Sequence, residues 1–320
     1  MKVLVTGGAG YVGTTLAPML LAKGHQVTVL DCLLYGADPA GLPQREGYSF
    51  IRGDVRDRSA LESAAGGCDA IIHLGAIVGL GACEKNPALA RQTNVLGSQN
   101  VAAVASGRPV VFASTGSCYG IVTRQLCTED TSLHPLSVYA RTKAQAERPL
   151  LEAGAIVYRI ATAFGLSPRL RLDLLVNEFV HRAIHEKVLA VYEGSASRSF
   201  IHVTDIARAM CFALDNAPLM RGQVFNAGSE KMNFTKMDIC RMIQARLPQT
   251  RIVTDPTGHD PDQRNYAVSY AKISALGFTT QVTMEQGIDE LATALRDIPD
   301  RRPYSNASAM QRNSGFGIRE

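Results

Sequence analysis

The chain has 320 residues, and 33 Lys and Arg against 29 Asp and Glu give it a formal net charge of +4. This small and dispersed positive excess argues against a nucleic-acid-binding protein. Hydrophobic residues make up 46% and charged residues 19% of the chain, a balance that excludes bulk disorder. The length allows one large or two modest domains.

Apolar and amphipathic stretches alternate along the first 165 residues. The apolar runs predict parallel strands buried on both faces, at 3–5, 26–30, 48–51, 70–74, 110–112 and 156–160. The amphipathic stretches predict helices at 12–23, 59–65, 88–105 and 137–153. This order predicts an α/β fold with a Rossmann-type, doubly wound parallel sheet. Its ligand crevice is expected at the carboxyl ends of the strands.

The pattern becomes irregular after residue 165 and indicates a smaller α+β part. Helices are predicted at 173–185, 203–216, 234–246 and 284–295, and strands at 189–192 and 224–226. Residues 301–320 are polar and aperiodic, which predicts a loose tail or an arm onto a neighbouring copy.

The seven cysteines are odd in number, irregularly spaced and without a CxxC pair. Zinc-finger and disulfide frameworks are therefore disfavoured, and free thiols in a reducing cytoplasm are expected. No apolar run approaches the ~20 residues of a membrane span. Neither a metal site nor a membrane partner is predicted.

A glycine-rich loop follows the first predicted strand, with Gly7, Gly10 and Gly13 in GxxGxxG spacing. Between a strand and a helix, such a loop turns tightly and brings backbone N–H groups to a pyrophosphate, with Tyr11 and Val12 inside it. Asp31 ends the second strand, where a carboxylate binds ribose hydroxyls and repels a 2′-phosphate. The pattern therefore predicts a dinucleotide site that prefers NAD. The alternatives are a plain tight turn and a solvated aspartate.

Two further strand ends complete the predicted cofactor site. Asp54 and Val55 follow the third strand, where an adenine ring could lie, although Asp54 could instead cap the next helix. The fourth strand ends in His73, followed by Leu74, Gly75 and Ala76, and the two small residues permit close backbone approach beneath a cofactor. His73 lies within the apolar strand and is interpreted as a core histidine.

Thr115, Tyr139 and Lys143 form the candidate catalytic set. Tyr139 and Lys143 stand at i and i+4 on one predicted helix, where an ammonium would lower the pKa of the phenol. A phenolate can remove the proton of an alcohol while hydride leaves to NAD, and Thr115 at the end of the fifth strand could hold the same oxygen. The alternative for the YxxxK pair alone is two exposed helix residues.

These features together resemble an extended short-chain dehydrogenase/reductase of the NAD-dependent epimerase/dehydratase family, which acts on nucleotide sugars. The resemblance spans about residues 1–298, and its motifs are TGGAGYVG, Asp31, GDVRD, HLGA, NVLG beginning at Asn94, STGSCYG, YARTK, and RSFIHVTD beginning at Arg198. It implies bound NAD with Asn94 among its ligands. It also implies a NAD-binding domain of residues 1–165 plus 200–227, and a nucleotide-sugar domain of 166–199 plus 228–300. A homodimer formed through helices 88–105 and 137–153 is implied as well.

The resemblance also implies the substrate site. Arg198 matches an arginine that contacts substrate phosphates, and Arg169, Arg171, Asn177 and Arg264 are further candidates for the diphosphate, each with the alternative of a surface arginine or a helix cap. Residues 164–177, which contain Arg169, Arg171 and Asn177, and residues 262–266, which contain Arg264, resemble a bacterial subgroup from surface-polysaccharide pathways. This subgroup includes GDP-heptose 4-dehydrogenases. Gly116 and Ser117 follow Thr115, where sugar 4,6-dehydratases carry Asp-Glu. Neither residue does acid–base chemistry near neutral pH, although they remain candidates for substrate contact.

The combined prediction is a cytoplasmic enzyme that oxidises carbon 4 of a nucleotide-activated sugar, in first place as a 4-epimerase. The alternative is a 4-dehydrogenase that releases the keto sugar. A 4,6-dehydratase and a non-catalytic NAD-binding protein are less favoured. The nucleobase, the sugar and the fate of the keto intermediate stay open.

Overall fold

The computed structural model describes residues 1–36, 45–120, 122, 126–254 and 266–312. Its strands are β1 (Lys2–Thr6), β2 (Gln26–Asp31), β3 (Tyr48–Arg52), β4 (Ala70–His73), β5 (Val110–Thr115), β6 (Leu126–Cys127), β7 (Ile156–Ile160), β8 (Thr162–Phe164), β9 (Val188–Val191), β10 (Ser197–His202), β11 (Val224–Ala227), β12 (Asn233–Thr235), β13 (Arg251–Thr254) and β14 (Ala267–Val268). Its helices are α1 (Gly13–Ala22), α2 (Arg58–Ala65), α3 (Leu80–Lys85), α4 (Pro87–Arg91), α5 (Gly97–Val104), α6 (Val138–Glu152), α7 (Leu175–His185), α8 (Val203–Asp215), α9 (Ala217–Met220), α10 (Lys236–Arg246), α11 (Ala271–Ala275), α12 (Met284–Ala294) and α13 (Asn306–Arg312).

A seven-stranded parallel sheet with the order β11-β7-β5-β4-β1-β2-β3 forms the main body. Its central strands are apolar and buried, as two-sided burial between helices requires. One apolar core includes Leu16 and Leu20 of α1 together with Met210 of α8, and a second includes Leu61 of α2 and Leu150 of α6. The predicted α/β class and its parallel sheet are confirmed.

The predicted helix 88–105 is interrupted. Residues Pro87–Arg91 are α-helical, Gln92–Leu96 form a π-helical turn, and the α-helix resumes as α5. Such a wide turn re-aims the side chains within it, and Asn94 lies at its centre.

A smaller set of elements packs beside the large sheet. The strand order β12-β10-β8 forms a three-stranded sheet, and β13 pairs in parallel with β9. Their core is built around α7, α10 and α12, with Val180, Ile243 and Ile288 among its fully buried residues. The four helices predicted after residue 165 are confirmed to within two residues, whereas β8, β10 and β13 were not predicted. The boundaries of the two domains stay a prediction.

Residues Asn306–Arg312 are helical, and hydrogen bonds tie Tyr304 and Ala307 to the rest of the chain, so the predicted loose tail is wrong for residues 302–310. Arg302–Tyr304 form a 3₁₀ turn that leads into α13. Leu172 donates its backbone N–H to Tyr304 O (3.0 Å), and Lys85 Nζ donates to Ala307 O (3.1 Å). The polar composition misled the prediction because both bonds end on backbone carbonyl groups of the segment, which carry no hydropathy signal.

The thiols agree with the sequence prediction. The seven cysteines are free, and six of them are buried, with Cys32 exposed. Within the described residues, no helix is both long and apolar enough to cross a membrane.

Candidate active site

A cavity of about 1010 Å³ opens at the carboxyl ends of the central strands. Its walls come from the loop between β1 and α1, the ends of β2 to β5, the start of α6 and the segment after β8. The predicted cofactor residues that line it are Gly7, Gly10, Tyr11, Val12, Gly13, Asp31, Asp54, Val55, Leu74, Gly75, Ala76, Tyr139 and Lys143. Residues from distant parts of the sequence thus meet at the edge where parallel α/β sheets bind ligands.

The three glycines of the loop have different steric roles. Gly7 has a φ of +70°, and a Cβ there would lie 2.6 Å from Gly75 Cα. A Cβ on Gly13 would lie 2.4 Å from Gly8 Cα, so this glycine permits close packing at the start of α1. A Cβ on Gly10 would meet only Gly7 O, at 3.1 Å. Gly7 and Gly13 therefore shape the loop, whereas Gly10 leaves backbone accessible from the cavity.

Asp31 is held in place by the glycine loop. Its carboxylate accepts hydrogen bonds from Ala9 N (3.0 Å) and Leu33 N (2.8 Å). Burial raises the pKa of Asp31, and the two backbone hydrogen bonds oppose that shift. The loop therefore presents an oriented carboxylate acceptor to the cavity.

The fit to a dinucleotide follows from these features. The cavity is lined by Gly7, Gly10 and Gly13 of the loop, and the N-cap of α1, Val12, makes no side-chain capping hydrogen bond. Free N–H groups at a helix N-terminus bind phosphate oxygens. The residues present therefore suit NAD, with Asp31 placed to accept from ribose hydroxyls.

Asn94 is not among the residues that line the cavity, and its role as a direct cofactor ligand stays a prediction. Its Oδ1 accepts from Ile77 N (2.8 Å), and its Nδ2 donates to Ile77 O (3.0 Å) and Thr142 Oγ1 (2.9 Å). Asn94 ties the loop after β4 to α6 and supports the cavity from behind. The wide π-helical turn, which the sequence pattern did not reveal, directs the side chain there.

His73 is a core residue, as interpreted from the sequence. Its Nδ1 lies 2.7 Å from Thr6 Oγ1, and its Nε2 lies 2.9 Å from Ser98 Oγ. Burial and the nearby Lys143 lower its pKa to about 3, which keeps the imidazole neutral. Both ring nitrogens are satisfied, and the ring stacks on Phe112.

The three predicted catalytic residues converge on the cavity. Thr115 closes β5 and is 7% exposed, while Tyr139 and Lys143 come from the first two turns of α6. Ser137 caps this helix by accepting from Ala140 N (3.1 Å), which sets where its first turn begins. The Lys143 ammonium lies 4.0 Å from the centre of the Phe112 ring.

Burial controls the ionisation of this set. It raises the pKa of Tyr139 to about 12, although a hydrogen bond with Thr115 and the charge of Arg171 lower it. It lowers the pKa of Lys143 to about 7. The sequence predicted that Lys143 would depress the pKa of Tyr139. In the folded chain burial outweighs the opposing effects, and the leading groups that lower this pKa are Thr115 and Arg171.

Arg171 is the cation whose charge lowers the pKa of Tyr139. It lines the cavity, and its Nε and Nη2 donate to the carboxylate of Asp173 at 3.0 and 3.2 Å. Gly79 lies beside this guanidinium, and a Cβ there would be 3.5 Å from Nη2, an ordinary contact distance. This arrangement holds Arg171 in one orientation.

Arg169 lines the same cavity but lies towards the end of β2. Its guanidinium is 5.2 Å from the centre of the Tyr35 ring, and its charge acts on Asp31. Burial and repulsion from Arg171 lower its pKa to about 10. Its buried Nη2 has no hydrogen-bond partner. Arg169 and Arg171, two of the predicted diphosphate candidates, therefore line one cavity and lie close enough for their charges to interact.

The other predicted substrate residues separate into three groups. Ser117 lines the main cavity, and its backbone N–H donates to Thr115 Oγ1 (3.2 Å). Gly116 and Arg198 line a second, small cavity; Ala161 and Thr162 line both cavities, so the two adjoin. Arg264 lies outside the described residues.

Asn177 is not among the lining residues of either cavity, and its role as a phosphate ligand stays a prediction. It is fully buried, accepts from Gly165 N (2.9 Å) and donates to Arg171 O (2.9 Å) and Gly165 O (3.1 Å). Its amide satisfies the backbone of the segment after β8. Asn177 thereby holds the backbone of Arg171 in place.

Several cavity residues were not predicted from the sequence. Tyr35 follows β2, and its hydroxyl accepts from Val78 N at 3.4 Å. Asn306 and Met310 reach the cavity from α13. Only Tyr35 had a usable signal, its position four residues after Asp31. Nothing in the local sequence indicates that α13 returns to the site.

Residues 3–228 match the family model described as the NAD dependent epimerase/dehydratase family. The chain belongs to this family. It is therefore an NAD-dependent enzyme of a family that modifies nucleotide sugars, as the sequence motifs predicted, and the non-catalytic alternative is wrong. The family match does not resolve the subgroup.

Individual relatives span several reactions. The low-salt glycan biosynthesis protein Agl12 of Haloferax volcanii is 30% identical over 306 residues, which cover 90% of this chain and 96% of that protein. The dTDP-glucose 4,6-dehydratase of Streptomyces niveus is 29% identical over 320 residues and 93% of each chain. The solved UDP-glucose 4-epimerase of Thermus thermophilus in complex with NAD superposes with a TM-score of 0.81 at 25% identity, over 93% of this chain and all of that one.

Proposed function

We propose that this enzyme oxidises carbon 4 of a nucleotide-linked sugar and acts as a nucleotide-sugar 4-epimerase. The observation that carries the proposal is the convergence of Thr115, Tyr139 and Lys143 on the cavity that also contains the glycine loop and Asp31. An alcohol held between Thr115 and Tyr139 would lie at the junction of the cofactor and substrate parts of the cavity. Bound NAD supplies the acceptor for the hydride that leaves carbon 4.

In this proposal Tyr139 takes the proton of the sugar hydroxyl, and Thr115 holds the hydroxyl oxygen. The high pKa of Tyr139 makes proton removal depend on the groups that lower it, the Thr115 hydroxyl and the Arg171 guanidinium. Lys143 shares the helix face of Tyr139, and its pKa of about 7 places its charge change near neutrality. Its proposed role is to orient the nicotinamide ribose and to tune Tyr139.

The substrate diphosphate is proposed to lie across the boundary between the two adjoining cavities. Arg171 stands on the main cavity and Arg198 on the small one, and guanidinium groups match phosphate oxygens in geometry and charge. Arg169 and Arg264 are the further candidates. Asn177 serves this site by holding the backbone of Arg171.

The lining of the cavity argues against water elimination. Among the described residues that line it, the carboxylates are Asp31 and Asp54, which lie at the ends of β2 and β3. Gly116 and Ser117 occupy the positions after Thr115 where a dehydratase needs an acid and a base. A 4,6-dehydratase is therefore the weaker proposal, even though two relatives, from Streptomyces and Actinoplanes, carry that name.

Product analysis tests the proposal. The purified enzyme is incubated with NAD and, in turn, with UDP-, GDP-, dTDP- and CDP-hexoses, and the sugars are separated after mild hydrolysis. A 4-epimer without net NADH supports the epimerase. A released 4-keto sugar with stoichiometric NADH establishes the alternative 4-dehydrogenase. A 4-keto-6-deoxy product establishes the dehydratase, and the absence of turnover with every nucleotide sugar contradicts the proposed substrate class.

We also propose that two chains pair through α5, α6 and the π-helical turn. Leu96 on that turn is 45% exposed, an apolar side chain on the face expected to be covered. Light scattering coupled to gel filtration distinguishes a dimer from a 34.4 kDa monomer. Leu96→Asp is expected to favour the monomer.

A further inference from the structure

The residues Tyr304–Met310, called here the C-terminal segment, lie far beyond residues 3–228 that match the family model. Two of them, Asn306 and Met310, nevertheless line the main cavity. Met310 packs against the same buried cluster as Tyr139, which includes Ile77 and Cys83. The segment therefore forms part of the wall next to the candidate catalytic residues.

Specific bonds hold the C-terminal segment in this position. Leu172 donates to Tyr304 O, and Asn306 donates its backbone N–H to Asp173 Oδ2 (3.0 Å). Asp173 also accepts from Arg171, so one carboxylate joins the segment to the arginine of the cavity. Burial opposes ionisation of Asp173, but the charge and hydrogen bonds of Arg171 and the Asn306 backbone lower its pKa. Asp173 is therefore a firm anchor.

The side-chain amide of Asn306 has no evident structural task. Asn306 is 1% exposed, and its Oδ1 is buried without a hydrogen-bond partner. A buried amide oxygen without a donor is unfavourable, and native proteins tolerate it mainly where a ligand or water completes the bond. Since Asn306 also lines the cavity, the missing donor is expected from a ligand.

We propose that Asn306 is a substrate-binding residue whose amide hydrogen-bonds to a hydroxyl group of the sugar, and that the C-terminal segment forms the wall of the sugar subsite. The inference rests on the proposed nucleotide-sugar function. A sugar hydroxyl matches an amide because it both donates and accepts. The sugar is favoured over the cofactor because Asn306 is anchored beside Arg171, whose charge acts on Tyr139, whereas Asp31 stands at the end of β2.

Binding measurements on the full-length NAD-loaded enzyme test the assignment. The probes are the nucleotide hexose that wild-type enzyme binds most tightly among the UDP, GDP, dTDP and CDP forms, the corresponding nucleoside diphosphate, and NAD. Asn306→Ala is expected to raise the Kd of the nucleotide hexose about 10-fold and to leave the other two Kd values within about twofold, as expected for the loss of one ligand hydrogen bond. Asn306→Asp, which retains the size and loses the amide donors, is the second variant.

Arg302→Ala is the matched control. Arg302 lies just before the segment with its side chain 82% exposed and pairs with Asp300 at the surface, so all three Kd values should stay unchanged. Equal weakening of all three ligands by Asn306→Ala would show a purely structural residue and overturn the proposal. Unchanged binding of the nucleotide hexose, or weakening of NAD alone, would overturn it as well.

Hydrogen exchange separates a failure of this proposal from a failure of the proposed function. If no nucleotide sugar binds wild-type enzyme, the proposed function fails, and the sugar assignment of Asn306 fails with it. The position of the segment is then tested in the NAD-loaded enzyme through three backbone amides. Leu172 donates to the segment, Asn306 donates from it to Asp173, and Ala309 donates within it. Protection of these amides from exchange supports the proposal that the C-terminal segment forms a wall of the cavity. Exchange at the rate of an unstructured chain overturns that proposal.

Discussion

Glu147 and Arg159 form a buried ion pair, with Glu147 Oε2 2.8 Å from Arg159 Nη2 and both side chains less than 10% exposed. Glu147 also accepts a hydrogen bond from Ser114, the residue before Thr115. Because Glu147 lies one turn after Lys143 on α6, the pair joins the helix of Tyr139 and Lys143 to the ends of β5 and β7. The relative position of the candidate catalytic residues therefore depends on this buried pair.

Replacing Glu147 with Gln should strongly destabilise the protein. The change leaves the Arg159 charge buried without its counter-charge, which costs about 3 kcal/mol or more. Denaturant unfolding measures the loss. Glu152→Gln on the same helix is the matched control, because its pair with Arg148 is exposed and such pairs contribute less than about 1 kcal/mol. Similar losses for the two variants would contradict the structural role given to Glu147.

Tyr139→Phe should abolish turnover and preserve NAD binding. The phenyl ring keeps its packing in the cluster with Ile77 and Cys83, while the hydroxyl that exchanges the substrate proton is lost. We expect the rate to fall about 1,000-fold, within the range for removal of a general acid–base group. Steady-state kinetics and titration with NADH measure the two effects. A fully active variant would refute the proposed role of Tyr139.

Lys143→Met should stabilise the NAD-free protein, and most strongly at neutral or lower pH. Burial lowers the pKa of Lys143 to about 7 from the ordinary 10.5. Between these values the unfolded chain binds a proton that the folded chain lacks, so the wild-type free energy of unfolding gains from rising pH. The advantage of the variant should therefore shrink by about 2 to 3 kcal/mol between pH 7 and pH 9.

Denaturant unfolding of wild type and variant at both pH values measures this change. Lys231→Met, at an exposed position, is the control and should show no comparable dependence on pH. An advantage of Lys143→Met that grows between pH 7 and pH 9 would mean that Lys143 is not a buried base with a lowered pKa. The variant should also lose activity, since the amine is removed from the site.

Gly7→Ala and Gly10→Ala should separate folding from cofactor binding. Alanine at Gly7 would take an unfavourable φ of +70° and bring its Cβ to 2.6 Å from Gly75 Cα, so we expect a loss of about 2 kcal/mol or more in stability. Alanine at Gly10 is tight against Gly7 O alone, at 3.1 Å, so its loss of stability should be smaller than that of Gly7→Ala. Its NAD affinity should nevertheless fall about 10-fold, because the methyl group keeps the phosphates from the backbone.

Thermal unfolding and NADH titration distinguish the two variants. A Gly10→Ala protein with wild-type NAD affinity would show that the phosphates do not approach the backbone at this glycine. A Gly7→Ala protein of wild-type stability would contradict the geometry of the loop.

The sheet and the cofactor half of the site could be predicted because their signals are local. The apolar run of β1 leads directly into Gly7, Gly10 and Gly13, and the YxxxK spacing places Tyr139 and Lys143 on one helix face whatever surrounds it. Asn94 and Asn177 were assigned to ligands because they belong to recognisable motifs. Which backbone groups their amides satisfy depends on the π-helical turn and on the fold of the segment after β8, and neither has a clear pattern in the sequence.

The sequence by itself determined the α/β class, the family and the residues that can carry the chemistry, since these depend on short-range periodicity and on spacing within single elements. Tertiary structure decided how those residues ionise and what surrounds them. Burial raises the pKa of Tyr139 to about 12 and lowers that of Lys143 to about 7, because a buried site disfavours the charged form of each group. No local sequence pattern shows that these two residues will be buried. A hydrogen bond between two residues 133 positions apart in the sequence also places Asn306 beside Asp173. Part of the polar C-terminal region therefore lines the cavity.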